Sequence, residues 1–139
     1  LFRSMRRDLE LNDKRKRAVP FMGVAVVYFI IYFFFRKFLL PETIMVFLLS
    51  FIIGLAILAL VSTRTKISLH TTAMGTVLAL FISLYLHEPG MYFKPLLLVF
   101  VLAGITGAAR LYLKMHTQYE IYGGYALGLI IGGVLFTLF

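Results

Sequence analysis

The chain has 139 residues, of which 61% are hydrophobic and 14% charged, and its formal net charge is +8. Soluble domains carry ~25% charged residues, so there is too little polar surface here to cover a water-soluble globule, and a disordered or nucleic-acid-binding role is excluded with it despite the basic balance. The absence of cysteine removes disulfides, thiolate chemistry and zinc–sulfur sites.

Residue 1 is Leu rather than Met, which points to a processed chain or a fragment and leaves room for spans before residue 1. Residues 1–17 form a basic tail, with seven cations (Arg3, Arg6, Arg7, Lys14, Arg15, Lys16, Arg17) against Asp8, Glu10 and Asp13. Such a run reads first as a topogenic or lipid-headgroup patch. Residues 18–139 read as one membrane domain. Crossing the hydrocarbon takes about 20 apolar residues of helix, and five stretches qualify: 18–35, 43–63, 67–86, 95–109 and 121–139. The first closes on Arg36-Lys37, the second opens on Pro41-Glu42 and closes on Arg64, the third holds only His70, and the fourth ends at Arg110. The expected fold is therefore all-α, a polytopic membrane bundle of five transmembrane helices.

Short connections make consecutive helices antiparallel neighbours, so alternate connections return to one side. The tail, residues 64–66 and residues 110–120 share a side that holds eleven Lys and Arg. The 36–42 connection and the loop expected over 87–94 hold three (Arg36, Lys37, Lys94). The positive-inside rule makes the first side cytoplasmic, and the expected location is the bacterial inner membrane. Gly124, Gly128 and Gly132 recur every four residues in the last span, with Gly104 and Gly107 in the one before. Both sets are expected to mark close helix contacts.

Ionisable groups at membrane depth are functional candidates, and the tracking gathers most of them at one end. His70 opens the third span and Arg110 closes the fourth. His116 and Glu120, four residues apart, share a helix face at the start of the fifth. Arg64, Lys66 and Ser68 precede His70 directly. Cations and free helix N–H groups bind phosphate. One neutral histidine can attack phosphorus when a carboxylate fixes its tautomer, and a second can protonate the leaving oxygen. Only one carboxylate, Glu120, falls in the cluster, so a two-metal mechanism is disfavoured and no metal or cofactor is expected. A haem- or quinone-binding electron-transfer subunit using His70 and His116 is the weaker chemistry for histidines set among cations. His87 and Glu88, on the far side, are expected to be loop residues, and Lys114 to point to solvent.

The run Ala109-Arg110, five residues, His116, three residues, Glu120, followed by Ile121, Gly124 and Gly128, resembles the third signature of the type-2 phosphatidic acid phosphatases and haloperoxidases (Ser-Arg, five residues, His, three residues, Asp). Ile67-Ser68-Leu69-His70 is similar to their second signature, Pro-Ser-Gly-His, and stands one helical hairpin upstream, as in that family. The resemblance covers about residues 64–132. It implies an all-helical, metal-independent membrane phosphatase working through a phosphohistidine. Three departures stand out: Leu69 replaces a glycine, Glu120 replaces Asp, and the first signature (Lys, six residues, Arg-Pro) is missing at its spacing. Lys66 is the first candidate for the missing cation and Arg17 the second.

On this reading His116 is the nucleophile, Glu120 its partner and His70 the general acid, with Arg110, Lys66, Ser68, Arg64 and Arg17 as phosphate-binding residues. The expected function is hydrolysis of a lipid phosphomonoester or diphosphate. The alternative is a catalytically silent relative serving as a membrane subunit or scaffold of a larger complex. Expected partners are a membrane lipid substrate and no nucleic acid, with a homo-oligomer or a membrane complex left open.

Overall fold

In hydrocarbon every backbone N–H and C=O must find a partner inside the protein, so long apolar runs fold as helices. The computed structural model describes residues 14–138, with side chains from residue 18, and contains five helices. These are α1 (Lys14–Phe35), α2 (Glu42–Ser62), α3 (Leu69–His87), α4 (Pro89–Tyr112) and α5 (Gln118–Leu138). All five are long and apolar enough to cross a membrane, and no strand occurs among the described residues. The architecture is the all-α bundle expected. The basic tail lies outside the described residues up to position 13, and from Lys14 the backbone is already helical.

One boundary differs from expectation. A loop was expected over 87–94, with the fourth span starting at Pro95; instead Glu88 alone separates α3 from α4. Pro89 explains the change. It disfavours helical geometry at the residue before it, and Glu88 accordingly sits at φ −136°, ψ 78°. Its own fixed φ then suits the first position of a helix. His87, expected in a loop, ends α3 and donates Nδ1–H to the Ser83 carbonyl at 2.8 Å.

Packing also departs from a simple chain of neighbours. The closest pair is α3 with α5, which are not consecutive; α2 packs on both, α4 leans on α3, and α1 leans on α2. The α3–α5 seam follows from side-chain size. Gly124, Gly128 and Gly132 of α5 meet Thr71, Thr72, Gly75, Thr76 and Ala79 of α3 so closely that a Cβ on Gly75 would stand 2.6 Å from the Tyr125 carbonyl oxygen. The hydroxyls in this seam are satisfied locally: Thr72 Oγ1 donates to the Ser68 carbonyl at 3.0 Å and Thr76 Oγ1 to the Thr72 carbonyl at 3.2 Å. Gly104, expected to mark a helix contact, has no atom within 4 Å of where its Cβ would be. The consecutive pair α4 and α5 meet at few points, because α5 spends its glycine face on α3. Tyr125 bridges them by donating its hydroxyl to the Ala103 carbonyl, an approach that the bare backbone of Gly107 permits. The remaining space is an apolar groove of about 480 Å³ lined by Phe100, Gly104, Ala108, Tyr122 and Leu129 among others.

Candidate active site

At one end of the bundle the chain ends of several helices converge on a pocket of about 280 Å³. It is lined by Phe21 of α1, by Ser62 of α2 and by Lys66, Ile67, Leu69 and His70, which lead into and open α3. Arg110 of the last turn of α4, with Met115 and His116 from the following turn, completes the lining. Lys66, His70, Arg110 and His116, all selected from sequence, thus face one cavity. Arg64 and Ser68 do not line it. The side chain of Arg17 lies outside the described residues.

The turn that carries His116 has a defined geometry. The Met115 N–H bonds to the Arg110 carbonyl at 3.2 Å and the Lys114 N–H to the Leu111 carbonyl at 2.9 Å. This is the paired closure of a Schellman motif, with Lys114 left-handed at φ 52°. A non-glycine residue there costs roughly 1–2 kcal/mol, which the two backbone bonds and the α5 start offset. The result fixes the chain between Arg110 and His116.

Glu120 then organises the start of α5. Its Oε2 accepts from the Thr117 backbone N–H at 3.1 Å, while its own N–H reaches Thr117 Oγ1 at 3.4 Å. That reciprocal pair is a capping box. The same oxygen lies 3.0 Å from His116 Nδ1. An ionised carboxylate only accepts, so Nδ1 carries the proton and the lone pair sits on Nε2. The Glu120 backbone carbonyl accepts the Ser68 N–H at 3.4 Å, joining the start of α5 to the start of α3. The ring of His116 is held below its ordinary pKa, chiefly by burial and further by Lys66 and Arg110. The bond to Glu120 and its charge pull the other way. At neutral pH the net effect favours an uncharged imidazole.

Ser68 is the residue preceding α3, and its hydroxyl is buried without a hydrogen-bond partner. Its carbonyl accepts from the Thr72 N–H at 3.0 Å and the Thr71 hydroxyl at 3.1 Å. With no side-chain cap, the first N–H groups of α3 keep their donors beside Leu69 and His70. Among the described residues no three His, Cys, Asp or Glu side chains converge as a metal site would require. Sequence reading missed Thr117 here, although the Thr-x-x-Glu signal of a capping box stands plainly at 117–120. Leu69, which replaces a glycine of the resembling signature, lines the pocket.

A family model described as the PAP2 superfamily matches residues 60–139. The chain belongs to the PAP2 superfamily. The match takes in both resemblances noted above, the Ser68–His70 segment and the Arg110–Glu120 segment. PAP2 membership places the chain with phosphatase-like hydrolases. No curated protein and no solved structure matches this PAP2 chain.

Proposed function

We propose that the protein is an integral membrane phosphatase that hydrolyses a lipid phosphomonoester or diphosphate through a phosphohistidine. The observation that carries this reading is the His116 Nδ1–H bond to Glu120 at 3.0 Å, on the edge of a pocket that also holds Lys66, Arg110 and His70. The neutral Nε2 of His116 attacks phosphorus, and the phosphorus–oxygen bond to the lipid breaks. His70 gives its proton to the departing lipid oxygen. Water then attacks the phosphohistidine, loses a proton to His70 and releases inorganic phosphate, returning both rings to their starting states. Lys66 and Arg110 neutralise charge on the transferring group, and Lys66 takes the place of the missing first-signature cation. The spans keep the substrate's hydrocarbon in the bilayer while its headgroup enters at the polar end. The excess of basic residues on that side in the sequence supports a cytoplasmic orientation for the site, within what we read as a bacterial inner membrane.

The test is phosphate release from a panel of lipid phosphates by the purified protein, with His116→Ala as control and without added divalent cation. Turnover by the parent and none by His116→Ala supports the reading. No turnover on any lipid moves the assignment to a silent membrane subunit, for which Leu69 in the pocket wall is the favouring observation.

A further inference from the structure

Glu120 does two jobs with one oxygen. Oε2 holds His116 Nδ1 at 3.0 Å and caps the Thr117 N–H at 3.1 Å, while Thr117 Oγ1 returns the bond to the Glu120 N–H at 3.4 Å. The box therefore sets the position of the carboxylate before any substrate arrives, because its two arms fix both the backbone and the side chain of residue 120. We propose that Thr117 is a positioning residue for His116, acting through Glu120, and that this device requires glutamate, not aspartate, at position 120. The inference rests on the nucleophilic role assigned to His116 above.

The glutamate follows from reach. Residue 120 is the third residue beyond the cap Thr117, where a Glu side chain spans back to the cap's N–H. An aspartate is one methylene shorter and cannot keep both partners on one oxygen from the same backbone position. The Asp in the resembling signature therefore does not predict tolerance here. Thr117 is not among the residues lining the pocket, and its hydroxyl reaches the site through the Glu120 N–H.

The charged and titratable groups facing His116 are Glu120 of α5, Arg110 of α4, His70 of α3 and Lys66 between α2 and α3. Only Glu120 favours the protonated ring. Loosening its hold should therefore let the His116 titration drift to still lower pH, and should release the ring from its Nδ1–H tautomer.

The experiment compares Thr117→Val, Thr117→Ser and Glu120→Asp by ¹⁵N imidazole shifts of His116 during a pH titration, alongside turnover. Thr117→Val should move the His116 midpoint to lower pH and mix the tautomers. It should also lower kcat about five- to thirty-fold, the equivalent of one lost cap, with KM little changed. Thr117→Ser should restore all three, and Glu120→Asp should resemble Thr117→Val. The double variant Thr117→Val/Glu120→Asp should be no worse than either single, since both break one unit. If Thr117→Val only lowers thermal stability, leaving midpoint and tautomer unchanged, the positioning role is overturned. A wild type that shows the tautomer and its Thr117 dependence but no turnover would overturn the phosphatase reading and keep the positioning device.

Discussion

Adding one methyl group at Gly128 tests whether the α3–α5 seam holds the two halves of the site together. A Cβ there would press on the Thr72 carbonyl oxygen and stand 2.7 Å from the Thr76 nitrogen and 2.9 Å from Gly75 Cα. All three are backbone atoms, so no side chain can swing away and the helices themselves must part by about 1 Å. A gap of that size forfeits a quarter to a half of each dispersion contact along the seam. Overpacking of this kind costs about 1–3 kcal/mol, and the rigid neighbours put Gly128→Ala near the top of that range. Gly133→Ala on the same helix meets nothing within 4 Å. It should be neutral or gain up to about 1 kcal/mol from helix propensity. Denaturant unfolding in mixed micelles, followed by near-ultraviolet dichroism of the tyrosines, gives both values. Because α3 carries His70 and α5 carries Glu120, Gly128→Ala should also lower turnover while Gly133→Ala does not. Equal stability of the two variants, within about 0.5 kcal/mol, would refute the packing account.

Two further expectations concern the chemistry. His116 must be uncharged to attack, and its pKa is lowered, so kcat/KM should hold below pH 6.5 and fall only as the ring protonates at more acid pH. Lys66→Met removes one cation that disfavours the protonated ring, so the acid limb should move to higher pH; a limb that stays in place would show that Lys66 does not act on His116. His70→Ala should lose about 10²–10⁴-fold on a lipid phosphate, whose alkoxide needs a proton, and far less on a nitrophenyl phosphate. Equal losses on the two substrates would mean that His70 binds phosphate and does not donate a proton.

The five helices were legible because length and hydropathy suffice for a span, and alternate connections then placed Lys66, His70, Arg110 and His116 at one end. What pairwise reading of consecutive helices missed was which glycines touch. Gly124, Gly128 and Gly132, four residues apart, form a true seam, whereas of Gly104 and Gly107, three apart, Gly107 meets Tyr125 and Gly104 faces open space; which glycines touch depends on the partner helix. Pro89 and Pro95 carry the same first-turn signal in the sequence, and only the structure shows that α4 begins at the first and runs through the second. Thr117 was not legible as a positioning residue because Glu120 fits both an i,i+4 pair with His116 and a capping box with Thr117, and only the structure shows that one oxygen serves both. The buried hydroxyl of Ser68 had no sequence signal, since its burial depends on the contact of α3 with α5.

A covalent phosphohistidine at position 116, as proposed, can be trapped by rapid acid-free quenching of the protein during turnover of a ³²P-labelled lipid phosphate, followed by peptide mapping. The label should be stable in alkali, lost in mild acid and confined to the peptide containing His116. No label should form in His116→Ala, and more should accumulate in His70→Ala with an aryl phosphate if hydrolysis of the intermediate needs His70. Turnover without any trapped label under these conditions, or label on a peptide that lacks His116, would contradict the phosphohistidine.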